Sequence, residues 1–284
     1  MPETAKGLLD QSGADAGPWI ALRKVSAAIA ILYRTRFGIR IAASGATVVI
    51  PVYDEDHRGG ARPWAMWGIF AVSVLGYVWL VLQPPGVADV IALNFGVVPA
   101  FVTGSVSVDG LDLLMPPALT LATYMLVHGN WLHLTGNRIF LWVFGDDVEA
   151  AVGHARFVLF YFLCGVAGGI AHVASGPASM SVLIGASGAI AGIVAAYLIL
   201  RPWAHVTVLV FGLMTVRIHA FWLLGAWIAW ESLNLIWSSS GSVSYWSHAG
   251  GLLAGAGLIV VLRRTGVKLF QNRARHSSKS RTYL

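Results

Sequence analysis

The chain has little charge and almost no cysteine. Only 11% of its 284 residues are Asp, Glu, Lys or Arg, where soluble domains carry about 25%. Hydrophobic residues make up 57%, more than a water-soluble core absorbs, so the chain reads as an integral membrane protein. One bundle with short tails fits the length. The net charge of +6 is of the kind nucleic-acid binders carry. Its lysines and arginines gather near the two ends, which speaks for membrane topology and against nucleic acid. A lone Cys164 in an apolar run excludes an internal disulfide and a thiolate metal site, and reads as a packing residue. Residues 1–17 are polar and carry acids, without the basic-then-apolar order of a signal peptide. No His-Glu-x-x-His occurs, so the zinc-protease motif is missing. Asp146 and Asp147 share one turn with no second intramembrane aspartate, which argues against an aspartyl dyad.

What is present is a series of apolar runs. A spanning helix needs roughly 17 to 25 mostly apolar residues. Six stretches qualify: 64–82, 131–150, 155–173, 184–200, 219–237 and 246–262. Residues 25–33 are too short and are flanked by Arg23, Lys24, Arg34 and Arg36, which predicts an interfacial helix. Residues 206–216 are also short, and are expected to connect two spans at the membrane surface. Residues 46–53 look strand-like and lead into Asp54, Glu55 and Asp56, a stretch with no readable function.

The charges orient the bundle. Loops 83–117, 175–181 and 238–245 contain no Lys or Arg, whereas the alternate connections carry Arg156, Arg201 and Arg217. The arm before the first span and the tail after the last are basic too. The positive-inside rule then predicts cytoplasmic termini in a multi-pass cell-membrane protein. The expected layout is a cytoplasmic arm over 1–62, an all-α six-helix domain over 63–264, and a disordered basic tail over 265–284.

Polar groups inside hydrocarbon are expensive and mark candidate sites. His133 and Asn137 lie four apart on the second span, with His128 before them, so they share a helix face. Alone, such a pair could simply hydrogen-bond neighbouring helices. The fourth span opens Gly185-Ala186-Ser187-Gly188, with Gly192 beyond. Alone, Ser187 is most simply a packing residue. The sixth span answers it with His248, Gly251 and Gly255. Small-residue faces on both spans predict close packing, with Ser187 and His248 at similar depth. A hydroxyl within reach of an imidazole is the arrangement nucleophilic catalysis needs.

These segments together resemble the rhomboid family of intramembrane serine proteases, in its bacterial type. The stretch from His128 through His133 to Asn137 is similar to the family's second-helix motif. Gly145 to Gly153 with Glu149 resembles the signature at that helix's inner end. Gly185-Ala186-Ser187-Gly188 resembles the nucleophile motif, and His248 with Gly251 and Gly255 the sixth-helix motif. The resemblance covers about 63–264. It implies a six-helix bundle with Ser187 as nucleophile and His248 as base, in a dyad without a third acid. His133, Asn137 and the Ser187 N–H would serve the oxyanion hole, with His128, Gly185, Gly188, Gly251 and Gly255 in support. Substrates would be transmembrane proteins in the bilayer, with no cofactor or metal. Loop 238–244 would form a cap over a site open to the outer face.

The sequence departs from the family at two places. Many rhomboids carry an aromatic residue four positions after the serine, where this chain has Ala191. Trp246 is then a candidate to hold His248. The first outer loop also lacks the family's Trp-Arg pair. Glu231 is the membrane core's carboxylate, on another helix from the dyad, and Arg138 is expected to pair with it or to reach Asp146 and Asp147. Two other functions share these residues: a catalytically inactive rhomboid-like protein that binds transmembrane helices, and a small transporter using the polar cluster.

Overall fold

The computed structural model describes residues 49–54, 62–84, 86–108, 113–210, 214–237 and 244–271. Long helices occupy each stretch read as a span. They are α1 (Trp64–Val81), α5 (Trp131–Val152), α6 (His154–Ser175), α7 (Ser187–Leu200), α8 (Ala220–Trp237) and α9 (Tyr245–Leu262). Between α1 and α5 lie the shorter α2 (Val87–Phe95), α3 (Pro99–Val102) and α4 (Thr120–Thr123). By length and composition α1, α6 and α9 can each cross a membrane, and α7 is a shorter apolar helix. Large apolar side chains such as Leu75, Ile236, Leu253 and Val261 face outward, as a lipid-facing surface requires. Exposed Trp64, Trp131, Trp222 and Trp237 sit at helix ends, where indole rings suit the membrane–water interface.

The expectation of an all-α chain is corrected by a small sheet. Strands β1 (Val49–Asp54), β2 (His205–Val210) and β3 (Met214–His219) form an antiparallel sheet in the order β1-β2-β3. The connection expected over 206–216 is therefore mostly strand, because β-branched residues recur in Val206, Thr207, Val208, Thr215, Val216 and Ile218. Val206 and Val208 turn inward and are fully buried.

Helix α7 is buried nearly all round from Gly188 to Tyr197, as its lack of polar residues demands. Helices α5, α6, α8 and α9 pack around it. At the end of the bundle that carries the sheet, buried charges are paired. Arg201 Nη1 lies 2.7 Å from Asp147 Oδ2 and 3.7 Å from Asp54 Oδ2, and the Tyr197 hydroxyl donates to Asp54 at 2.7 Å. Asp54 thus fastens β1 to the ends of α5 and α7. Glu149 accepts from the backbone N–H groups of Ala65 (3.0 Å) and Met66 (2.7 Å) and contacts the His154 ring. Those N–H groups open α1 and have no partner within the helix, so the carboxylate caps it and opposes its dipole.

The start of the expected tail is ordered. Phe270 and Gln271 donate to the carbonyls of Ile199 and Leu200 at 2.8 and 2.9 Å, covering the C-terminal end of α7, while Val267 and Leu269 pack on the core. The interfacial helix expected at 25–33, cap residues 238–243 and the tail from 272 lie outside the described residues.

Candidate active site

The segment before Ser187 is pinned from two sides. Leu183 exchanges backbone hydrogen bonds with Val97, between α2 and α3 (2.8 and 2.9 Å), and Gly185 donates to the Tyr124 carbonyl at 2.9 Å. Gly185 has φ +107°, a conformation open to glycine at little cost. A Cβ there would also lie 2.2 Å from His133 Cε1. The His133 ring therefore rests directly on the backbone two residues before Ser187.

Ser187 begins α7 and is half-buried. The glycine faces of α7 and α9 meet at backbone distance. A Cβ on Gly251 would stand 1.9 Å from Gly188 O, and one on Gly255 would stand 2.2 Å from Gly192 O. His248 is three residues before Gly251 on the same helix face and is 8% exposed. Ser244 caps α9 by accepting from Ser247 N at 3.3 Å, and its hydroxyl meets His172 Nδ1 at 2.7 Å.

Helix α5 brings the remaining polar groups. Asn130 caps it, accepting from His133 N at 2.8 Å. One turn on, Asn137 is buried, and its Nδ2 has no hydrogen-bond partner among the described residues. His128, in the loop before α5, is fully buried with its ring 5.5 Å from that of His133. Burial, then the charges of Arg138 and His133, push its pKa down to about 3. It therefore contributes a neutral ring beneath His133.

Three expectations are corrected here. The histidine is accompanied by an acid: His248 Nδ1 lies 2.5 Å from Glu231 Oε2, both largely buried. The ring is flanked by Trp227 (centroids 6.1 Å apart) and Tyr245 (6.4 Å), whereas Trp246 faces outward, 49% exposed. Arg138 reaches neither Glu231 nor Asp146 and Asp147. Its Nη1 donates to Ser73 Oγ (3.0 Å) and Ile69 O (3.3 Å), and it stands 5.9 Å from the Phe70 ring, because α5 turns it toward α1. Sequence reasoning missed Trp227 and weighed Glu231 without placing it. Their spacing of four on one span was the available signal.

Fold and site together describe a helical membrane protein with a serine and a histidine across a tight helix crossing. The chain matches the Rhomboid domain family over residues 117–265. It belongs to the rhomboid family. It is 37% identical over 78 residues to the "Putative rhomboid protease YdcA" of Bacillus subtilis, covering 28% of this chain and 39% of that protein. It is 28% identical over 167 residues to the mitochondrial RHOMBOID-like protein 6 of Arabidopsis thaliana, covering 57% and 50%. It is 27% identical over 138 residues to the mitochondrial Rhomboid protein 1 of Saccharomyces cerevisiae, covering 45% and 37%. The matches thus span half or less of these relatives' lengths.

Proposed function

We propose that this protein is an intramembrane serine endopeptidase that cleaves transmembrane segments of other membrane proteins. Its six long helices would span the cell membrane with both termini cytoplasmic and the site toward the outer face. The observation that carries the reading is the contact of Gly188 with Gly251, which draws together the helix ends bearing Ser187 and His248. A serine and a histidine in this setting fit nucleophilic acyl transfer. As Ser187 Oγ attacks the scissile carbonyl carbon, its proton passes to His248 Nε2. The carbonyl oxygen becomes an oxyanion facing the Ser187 N–H, Asn137 Nδ2 and His133. When the C–N bond breaks, His248 returns the proton to the leaving amine, and water then releases the acyl group by the same steps.

The free Asn137 amide supports this reading, since a buried donor without a partner is already oriented for charge that develops later. Depth supports it too. Helix α7 has 14 residues, about 21 Å at 1.5 Å per residue, against a hydrocarbon core about 30 Å thick. If its inner end lies at the interface, Ser187 is submerged several ångströms below the outer surface.

The test is reconstitution of the full chain with a generic transmembrane substrate, comparing wild type with Ser187→Ala. Cleavage is expected from wild type alone, with a fluorophosphonate probe labelling Ser187. Cleavage that persists in Ser187→Ala would sink the dyad. Absence of both cleavage and labelling in the wild type would favour a non-cleaving binder of transmembrane helices.

A further inference from the structure

The departure at Ala191 leaves a question of chemistry. An imidazole that serves as a base must present a lone pair to the serine, so its tautomer and ring orientation have to be fixed. The position where many relatives carry a supporting ring is here a fully buried alanine. Something else must hold His248, and the structure shows what does. Helix α8 presents Trp227 and Glu231, four residues apart and therefore on one face. The Trp227 ring lies 6.1 Å from the imidazole at 35°. The Glu231 carboxylate meets Nδ1 at 2.5 Å.

We infer that Glu231 is a positioning residue for His248, converting the Ser-His pair into a Ser-His-Glu arrangement whose third member comes from α8. The inference rests on the proteolytic reading above. A carboxylate can only accept hydrogen bonds. Nδ1 therefore carries the proton, and Nε2 keeps the lone pair that receives the Ser187 proton. When that proton arrives, the ring becomes a cation 2.5 Å from an anion, and the contact strengthens as charge develops. Glu231 neither gains nor loses a proton in the step. The other titratable groups near the ring are Tyr245 on the same helix and His133 from α5, while His172 of α6 bonds Ser244 at the start of α9.

The buried carboxylate also has a structural use, so the test must separate the two. Glu231→Gln and Glu231→Asp are compared with wild type in reconstituted full-length protein. Cleavage of the transmembrane substrate is followed against pH, and the His248 ring nitrogens by ¹⁵N magnetic resonance. Glu231→Gln is expected to lower kcat on the order of 10⁴-fold, by comparison with loss of the acid in other serine-protease triads. KM should stay within about two-fold, since the group does not touch substrate. Removing the anion disfavours the imidazolium, so the acid limb of the rate profile should move to lower pH. Nδ1 should lose its exclusive protonation. Glu231→Asp keeps the charge and should hold the acid limb nearer its wild-type place.

An active wild type whose kcat, acid limb and His248 tautomer are all unchanged by Glu231→Gln overturns the positioning role and leaves the protease reading intact. A fall in activity that tracks loss of folded protein, with acid limb and tautomer unmoved, overturns it as well. A wild type that neither cleaves nor labels, but whose His248 tautomer still shifts in Glu231→Gln, supports the positioning role and overturns the protease reading.

Discussion

The crossing of α7 and α9 can be tested by a single methyl group. In Gly251→Ala the new Cβ would lie 1.9 Å from the Gly188 carbonyl oxygen, with Gly188 C at 2.8 Å and Gly188 Cα at 3.3 Å. A carbon needs about 3.3 Å from a carbonyl oxygen, so the helices must part by about 1.4 Å. No flexible side chain can absorb this, because every atom met is backbone. Overpacking of this kind costs about 1–3 kcal/mol. The larger effect falls on the chemistry, because a displacement of about 1 Å between reacting groups can cost on the order of 10²-fold in rate. The assay pairs thermal unfolding in detergent with cleavage of a transmembrane substrate. Gly257→Ala is the control, since a Cβ there meets nothing within 4 Å and alanine favours helix by up to about 1 kcal/mol. Gly251→Ala should lower the melting temperature by several degrees and activity by about 10²-fold, while Gly257→Ala keeps or raises both. Wild-type stability and activity in Gly251→Ala would refute the backbone contact, and with it the reason for pairing Ser187 with His248.

Three other substitutions separate function from support. Asn137→Ala should reduce kcat by about 10²- to 10³-fold with a nearly unchanged melting temperature, because its Nδ2 has no partner among the described residues; a large stability loss would assign Asn137 to structure. Arg201→Met should destabilise by about 3–5 kcal/mol, since it leaves the buried carboxylates of Asp147 and Asp54 without the guanidinium between them; thermal unfolding that matches wild type would refute that. Glu149→Gln exchanges a charged acceptor of two N–H groups at the opening of α1 for a neutral one and should cost about 1–2 kcal/mol, read as a lower melting temperature with kcat of the folded fraction preserved.

The helices were legible because hydrocarbon imposes length and apolarity together. The bounds 64–82 and 131–150 fall within two residues of the observed ends, as do those for α6, α8 and α9. The fourth apolar run starts at 184, three residues before the helix begins at Ser187, because Ile184 to Ala186 are as apolar as a helix though they lead into it as extended chain and turn. The sheet was half legible. Residues 46–53 read as a strand on β-branched content alone, but its partner at 205–210 lies some 150 positions away, and single-strand patterns carry no pairing information. The glycine faces of Gly188, Gly251 and Gly255 were readable because small residues four apart have few other uses in a bilayer. The partner of Arg138 is not legible, because sequence order offers three carboxylates and no rotation angle. The structure turns it to the hydroxyl of Ser73 instead.

The buried carboxylates follow one rule with one exception. Asp54 and Asp147 share the Arg201 guanidinium, and Glu149 takes two N–H groups at a helix start. Each is met in the resting state by a guanidinium or by dipoles already aligned. Glu231 meets an imidazole that has to be neutral to act as a base, and a neutral N–H repays the burial of a carboxylate less well than a guanidinium does. Its compensation becomes complete when the ring is protonated, which in the proposed cycle happens as Ser187 attacks. A group incompletely compensated at rest and fully compensated at the transition state lowers the barrier between them. That difference explains why a chain with so few charges places one on α8 against the base. It also predicts that Glu231→Leu, once the fold accommodates it, affects kcat far more than it affects stability.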